Sequence, residues 1–308
     1  MSNGNDLLWG IDLGGTKVEG VVIKQCNPPE VIFRKRIASE SAKGYHHIMG
    51  RIRTLINQIA EEVNARPEAI GIGTPGTLDP HEGVMKNSNS TSLNQQPLKR
   101  DLEDLLGIPV KMANDANCFA LAETRMGIVP ELMPDARVVF GVIMGTGVGG
   151  GIVVDNKVIN GRQGIAGEWG HIFLDESGGK CYCGKSGCVE TVLAGPSLEK
   201  YYHEQSGKNT SLKDILTGYE DGTDPAAKKT MDRLIHYFGL GLSNVVNILD
   251  PDIIVIGGGV GNIDLLYKDG PKAIKKHVFD TNKGFHTVIA KPKLGDSAGV
   301  FGAAFLVE

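Results

Sequence analysis

Two stretches of this chain carry one pattern: an apolar run, a tight Gly/Thr turn, and a second apolar run. The first is L-W-G-I-D-L-G-G-T-K-V-E-G-V-V-I, from Leu8 to Ile23. The second is V-V-F-G-V-I-M-G-T-G-V-G-G-G-I-V-V, from Val138 to Val154. Apolar runs joined by a glycine turn read as paired strands. Glycine adopts backbone conformations closed to other residues and lets a ligand approach the main chain. Such a turn gathers backbone N–H groups and a Thr hydroxyl around one spot, which makes an anion site. One copy alone reads as an ordinary turn. Two copies, each able to cradle one end of a polyphosphate, point to a nucleotide held between two related halves.

The rest of the chain narrows the classes available. Its 308 residues suit two domains, and a 41% apolar fraction suffices for real cores. Charge is nearly balanced, with 32 basic against 36 acidic residues. No basic block interleaves with aromatics, so nucleic acid is not an expected partner. No apolar run is long enough to cross a bilayer. The polar start M-S-N-G-N-D lacks a secretory signal, so the expected location is cytoplasmic. Three of the five cysteines, Cys181, Cys183 and Cys188, crowd together. In a reducing compartment such a cluster reads as metal-binding rather than disulfide-bonded. Cys26 and Cys118 read as small apolar residues.

The apolar spacing predicts strands at 7–13, 17–24 and 31–38, the third interrupted by Arg34, Lys35 and Arg36. A helix follows over 45–64, with Ile48, Ile52, Leu55, Ile56 and Ile59 on one face. A buried strand at 69–73, a helix at 99–106, a strand at 110–112 and a helix at 117–126 complete the first half. The second half repeats the order, with strands at 137–143, 148–154 and 157–160. Helices at 195–205 and 226–249, a strand at 253–256, a helix at 262–278, a strand at 286–290 and a helix at 297–307 follow. Strands alternating with helices imply an α/β layered fold. Two hairpin-led halves resemble the actin-like ATPase, or ribonuclease H-like, architecture, with a nucleotide and sugar cleft between two domains. The expected division is 1–113 plus 297–308 for the first domain and 114–296 for the second.

Five motifs carry a more specific resemblance: D-L-G-G-T-K at 12–17, N-D-A-N at 114–117, M-G-T-G-V-G-G-G at 144–151, G-E-W-G-H at 167–171 and C-Y-C-G-K-S-G-C-V-E at 181–190. Together, and in this order, they resemble the ROK family of bacterial sugar kinases. The resemblance implies ATP-dependent phosphorylation of a hexose at its 6-hydroxyl, usually by a homodimer. The family also contains repressors, which carry a helix-turn-helix ahead of the kinase-like part. Here the first strand begins near Leu7, so the enzyme is expected. A non-catalytic sugar sensor is the alternative from another class.

Roles follow residue by residue. Asp12 precedes the first turn, where a carboxylate can hold Mg²⁺ beside the β- and γ-phosphates. Gly14, Gly15 and Thr16 would supply phosphate donors, and Lys17 either charge or a solvated side chain. Thr146, Gly147 and Gly149 would play the matching part in the second half. Gly257, Gly258 and Gly259 resemble the family's adenosine-contact turn. Asp115 takes the family's catalytic-base position, where a carboxylate accepts the proton of the attacking hydroxyl. Asn114 and Asp115 also open a helix, so their oxygens compete for N-capping. In the family Glu168, His171 and Glu190 bind sugar hydroxyls. Asn89 and Asn114 offer both donor and acceptor to a hydroxyl pair. His171, Cys181, Cys183 and Cys188 form H-x9-C-x-C-x4-C, a closed donor set for structural Zn²⁺. The loop Gly83–Leu98 looks like that of fructokinase and mannokinase members, which sets a leaning to fructose or mannose. Shared N-D-A-N-C-F-A-L keeps N-acetylglucosamine open, and glucose stays open as well.

Overall fold

The structure is a computed structural model that describes residues 6–88, 90–279 and 284–308. Its elements begin with strands β1 (Leu7–Leu13), β2 (Lys17–Lys24) and β3 (Glu30–Ala38), helix α1 (Tyr45–Val63) and strand β4 (Ile70–Thr74). A short hairpin of β5 (Thr77–Leu78) and β6 (Met85–Lys86) precedes α2 (Leu98–Leu106), β7 (Val110–Asn114), α3 (Asp115–Arg125) and α4 (Val129–Leu132). Next come β8 (Val138–Met144), β9 (Val148–Val154) and β10 (Lys157–Val158), then helices α5 (Val189–Leu193), α6 (Gly195–Ser206), α7 (Leu212–Glu220) and α8 (Pro225–Leu249). Strand β11 (Ile253–Gly257), short helices α9 (Gly258–Gly261), α10 (Leu265–Lys268) and α11 (Gly270–Lys275), strand β12 (Val288–Ala290) and helix α12 (Ala298–Phe305) complete the order.

Two five-stranded sheets share one plan. The first runs β3-β2-β1-β4-β7 and the second β10-β9-β8-β11-β12. In the first, β1–β2 and β2–β3 are antiparallel, while β1–β4 and β4–β7 are parallel. In the second, β9–β10 is antiparallel, and β8–β11 and β11–β12 are parallel. Both are mixed sheets, led by a hairpin and extended by strands that return through helices.

By contacts the chain forms two compact units. One holds 1–135, 151–167 and 293–308; the other holds 136–150 and 168–292. The sequence reading set its boundary at 113/114, whereas α3 groups with the first unit. The cause is close packing against α12. A Cβ on Gly302 would lie 1.7 Å from the Cys118 carbonyl oxygen, so only glycine allows the two helices to approach this far. A Cβ on Gly71 would likewise sit 1.7 Å from the Ala303 oxygen, which seats α12 on β4. The last helix packs within the first unit.

The face Ile48, Ile52, Leu55, Ile56 and Ile59 of α1 is buried in the core of this unit, against Trp9, Ile11, Val18 and Val22. Each such side chain contributes about 1.5–3 kcal/mol by leaving water. Strand β3 forms despite its three charges because it is an edge strand, largely exposed. Arg34 and Arg36, two apart and so on one face, both pair with buried Glu19 of β2. The helix expected over 262–278 is broken instead. Pro271 begins α11 rather than continuing α10, since proline has no N–H to bond backwards. Cys26 is exposed in the β2–β3 turn, where its thiol donates to the Pro28 carbonyl at 3.0 Å, so it is not a core residue. Cys118 is fully buried, as expected. Among the described residues no helix is long and apolar enough to cross a membrane.

Candidate active site

In the first unit, β1 ends at the turn that carries Gly14, Gly15, Thr16 and Lys17. The Gly14 amide donates to the Lys17 carbonyl at 2.9 Å, closing the turn. The Gly15 carbonyl accepts from the hydroxyls of Ser39 and Ser41 at 2.8 and 2.6 Å. The Ser39 amide takes the Thr16 carbonyl at 3.0 Å. With these carbonyls engaged, what the turn can offer a ligand is donors. Ser39 and Ser41 were not singled out in sequence; their only signal is a polar S-E-S just past β3. Lys17 is exposed at the start of β2.

Asp12 is half-buried on β1, opposite Glu19 of β2. A Cβ on Gly299 would lie 3.2 Å from its Oδ2, and one on Gly73 3.5 Å from Oδ1. Glycine at both positions keeps space around the carboxylate. Its pKa is raised to about 6, first by burial, then by the charges of Asp115 and Glu19, against Lys17 and Arg36. An acid whose burial and neighbouring carboxylates outweigh Lys17 and Arg36 is one that a cation would relieve.

Asn114 and Asp115 divide the two competing tasks. The Asn114 side chain caps α3, accepting from the Asn117 amide at 2.8 Å. Asp115 follows at the first helical position, its Oδ1 accepting from the Ala116 amide at 2.8 Å. It is open to solvent, yet the protein mass around it raises its pKa. A recessed, reachable carboxylate of this kind suits a base. Buried Cys118 lies behind both acids; burial first, then the charges of Asp12 and Asp115, push its thiol well up, so it stays protonated. Asn89 lies outside the described residues. The neighbouring turn is braced by Asn94, which accepts from the Ser88 amide at 2.9 Å and donates to its carbonyl at 3.0 Å.

In the second unit the matching turn is Gly145–Gly147, closed by the Gly145 amide on the Gly147 carbonyl at 2.9 Å. The Gly195 amide holds the Gly145 carbonyl at 2.8 Å. Thr146 is exposed at the tip. Gly149 is not in the turn but inside β9. Of the three later glycines, Gly257 is buried at the end of β11, while Gly258 and Gly259 are exposed. Gly258 has φ +83°, and a Cβ there would lie 2.3 Å from the Met144 oxygen.

Val148 is the point where the second unit's groups converge. Its amide donates to Glu190 Oε2 at 2.9 Å. Its carbonyl faces Gly170, where a Cβ would sit 2.0 Å away. G-E-W-G-H is thereby pressed onto β9, and buried Trp169 anchors it by donating Nε1–H to the Gly241 carbonyl at 3.1 Å. Gly170 of this motif and Glu190 thus both meet Val148 on this unit. The bond from Val148 commits one Glu190 oxygen to the turn, a coupling that sequence spacing could not reveal.

His171 also belongs to the metal cluster. One ligand atom from each of His171, Cys181, Cys183 and Cys188 lies within 4.8 Å of all the others. Nδ1 of His171 is 3.6 Å from Cys181 Sγ, and Cys183 Sγ is 3.6 Å from Cys188 Sγ. Three thiols and one imidazole at this spacing fit one tetrahedral Zn²⁺. Metal analysis is expected to find about one zinc per chain, and Cys183→Ser to lose it. Elemental analysis after dialysis checks this; a full zinc content in the variant counts against these ligands.

Two mixed sheets of one plan, each led by a glycine turn, define the actin-like ATPase fold of the ROK sugar kinases. The chain belongs to the ROK family, whose model matches residues 8–308. It is 35% identical over 311 residues to N-acetyl-D-glucosamine kinase of Histophilus somni, covering 97% of this chain and 98% of that protein. It is also 35% identical over 311 residues to N-acetyl-D-glucosamine kinase of Vibrio cholerae, covering 97% and 99%. Among solved structures, the ROK hexokinase of Thermus thermophilus matches with a TM-score of 0.85 at 30% identity, over 97% of each chain. A ROK family glucokinase of Streptomyces griseus, in complex with glucose and AMPPNP, matches with a TM-score of 0.74 at 28% identity, over 97% and 98%.

Proposed function

We propose that the chain is a sugar kinase that transfers the γ-phosphate of ATP to the 6-hydroxyl of a hexose, with N-acetyl-D-glucosamine the first substrate to test. Asp115 carries the reading: a solvent-reachable carboxylate at the start of α3, its Oδ1 accepting from the Ala116 amide and its pKa raised by the protein around it. A sugar hydroxyl is a poor nucleophile until a base takes its proton. Asp115 accepts that proton as the new oxygen–phosphorus bond forms. The bond from the γ-phosphorus to its bridging oxygen breaks, and ADP leaves with the electron pair.

The turns at Gly14–Thr16 and Gly145–Gly147 supply donors to phosphate oxygens. Asp12 would hold Mg²⁺, directly or through water, and the ion would neutralise charge on the β- and γ-phosphates. Its raised pKa supports that fit. Glu168, His171 and Glu190 orient the sugar through its hydroxyls. Zinc on the cysteine loop would fix His171 in place; four protein ligands complete its shell, so it takes no part in the transfer.

The full-length relatives named for N-acetyl-D-glucosamine support that sugar first. The loop Gly83–Leu98 supports fructose or mannose as the second reading. A coupled ADP-release assay over N-acetylglucosamine, glucose, mannose and fructose tests both. The highest kcat/KM is expected for N-acetylglucosamine. A preference for fructose or mannose selects the second reading, and no ADP release with any sugar sinks the kinase.

A further inference from the structure

Tyr182 stands between two of the metal ligands, Cys181 and Cys183, and no motif accounts for it. The Gly184 amide donates to the Cys181 carbonyl at 3.1 Å, so Cys181–Gly184 is a β-turn with Tyr182 at its second position. The turn is pinned by the Cys181 amide on the Lys185 carbonyl at 2.8 Å and by Gly184 at φ +88°. A side chain at this corner splays outward. Here it meets His171: the Tyr182 hydroxyl oxygen is 3.0 Å from Nε2. The two rings lie edge to face, with centroids 5.2 Å apart at 89°.

The imidazole has two nitrogens and each has a distinct neighbour. Nδ1 faces Cys181 Sγ and the other thiols, whereas Nε2 faces Tyr182. A metal on Nδ1 takes that lone pair, so the ring proton must sit on Nε2. An N–H there donates to the tyrosine oxygen. Metal-bound histidines are commonly steered by such a partner on the far nitrogen, and its loss costs about 10–100-fold in metal affinity.

We propose that Tyr182 is a positioning residue for His171, holding the imidazole plane through Nε2 so that Nδ1 meets the metal. The effect runs both ways. The metal draws Cys181 and Cys183 together and thereby places Tyr182, and Tyr182 holds the third element of the same site. Under the proposed kinase function a sugar hydroxyl would take the same Nε2–H from Tyr182, so metal binding alone tests this proposal, and it does not depend on that function.

Tyr182→Phe isolates the hydroxyl. The ring is 76% exposed, and Phe keeps the edge contact, so the fold is not at stake. Zinc affinity is read by competition with a chromophoric chelator, and the donor set by the absorption bands of the cobalt(II)-substituted protein. The expected result is zinc binding weakened about tenfold, the lower end because water can replace a hydroxyl at an exposed site. The cobalt thiolate bands keep their positions, showing the same four ligands. Unchanged zinc affinity overturns the proposal. Loss of the cobalt thiolate bands overturns it too, since Tyr182 would then hold the loop together rather than orient His171. If the wild-type chain phosphorylates no sugar, the kinase reading fails, and the zinc and cobalt arms still decide this one.

Discussion

Asp115→Asn is expected to lower kcat by roughly 10²–10⁴-fold while leaving the fold and sugar affinity nearly intact. Asparagine has the same shape, and its carbonyl oxygen can still accept from the Ala116 amide, so the start of α3 is kept. Asn114 goes on capping through the Asn117 amide. What is lost is basicity alone. The sign with pH follows from desolvation by the protein around Asp115, which raises its pKa above the ordinary 3.8. The base works only when ionised, so wild-type kcat falls as pH falls through that raised value. The acid limb of the profile then sits higher than for a solvated aspartate. A near-normal kcat in the variant removes Asp115 from the role.

Asp12→Asn is expected to stabilise the ligand-free protein and to abolish most of its activity. In the folded protein the Asp12 pKa is raised from 3.8 to about 6. A raised carboxylate binds its proton more tightly folded than unfolded. Its contribution is most favourable at low pH and is lost as pH rises through about 6. Above that value the ionised group costs the fold up to about 3 kcal/mol. Asparagine removes the charge and the cost. At pH 7.5 Tm is therefore expected to rise by several degrees, and at pH 5 the gap between variant and wild type narrows. Activity moves the other way, by orders of magnitude, because an amide is a poor ligand for Mg²⁺. Thermal scans at the two pH values check the first half, and turnover with excess Mg²⁺ and ATP the second. A lower Tm at pH 7.5 contradicts the account of Asp12.

Much of this was legible in the sequence where the signal is local. The face Ile48–Ile59 of α1 has a period that only a helix satisfies, and it is buried as that period requires. The two hairpins read correctly because a Gly turn between apolar runs leaves few alternatives. The cysteine cluster closes because its ligands lie on one short loop. What escaped depends on partners distant in sequence. Nothing near Glu190 shows that it accepts from Val148, or near Gly15 that Ser39 and Ser41 hold its carbonyl. The domain boundary moved for the same reason: Cys118 and Gly302 touch, and neither marks the other. The break between α10 and α11 has a local mark in the sequence, Pro271 in the first turn of α11.

The glycine seam under α12 also bears on the order of events in folding. Asp12 and its neighbour Gly299 lie far apart in sequence, as do β1 and β4 from the helix that covers them. A Cβ on Gly10 would lie 2.5 Å from the Ala304 amide nitrogen, which shows how closely the two ends of the sequence must meet. Contacts this remote along the chain are slow to form, since the intervening loop must close before they repay it. Until α12 closes, β1 and β4 therefore keep an uncovered face during folding, and the strand that leads into the first glycine turn is completed only by that late, long-range contact.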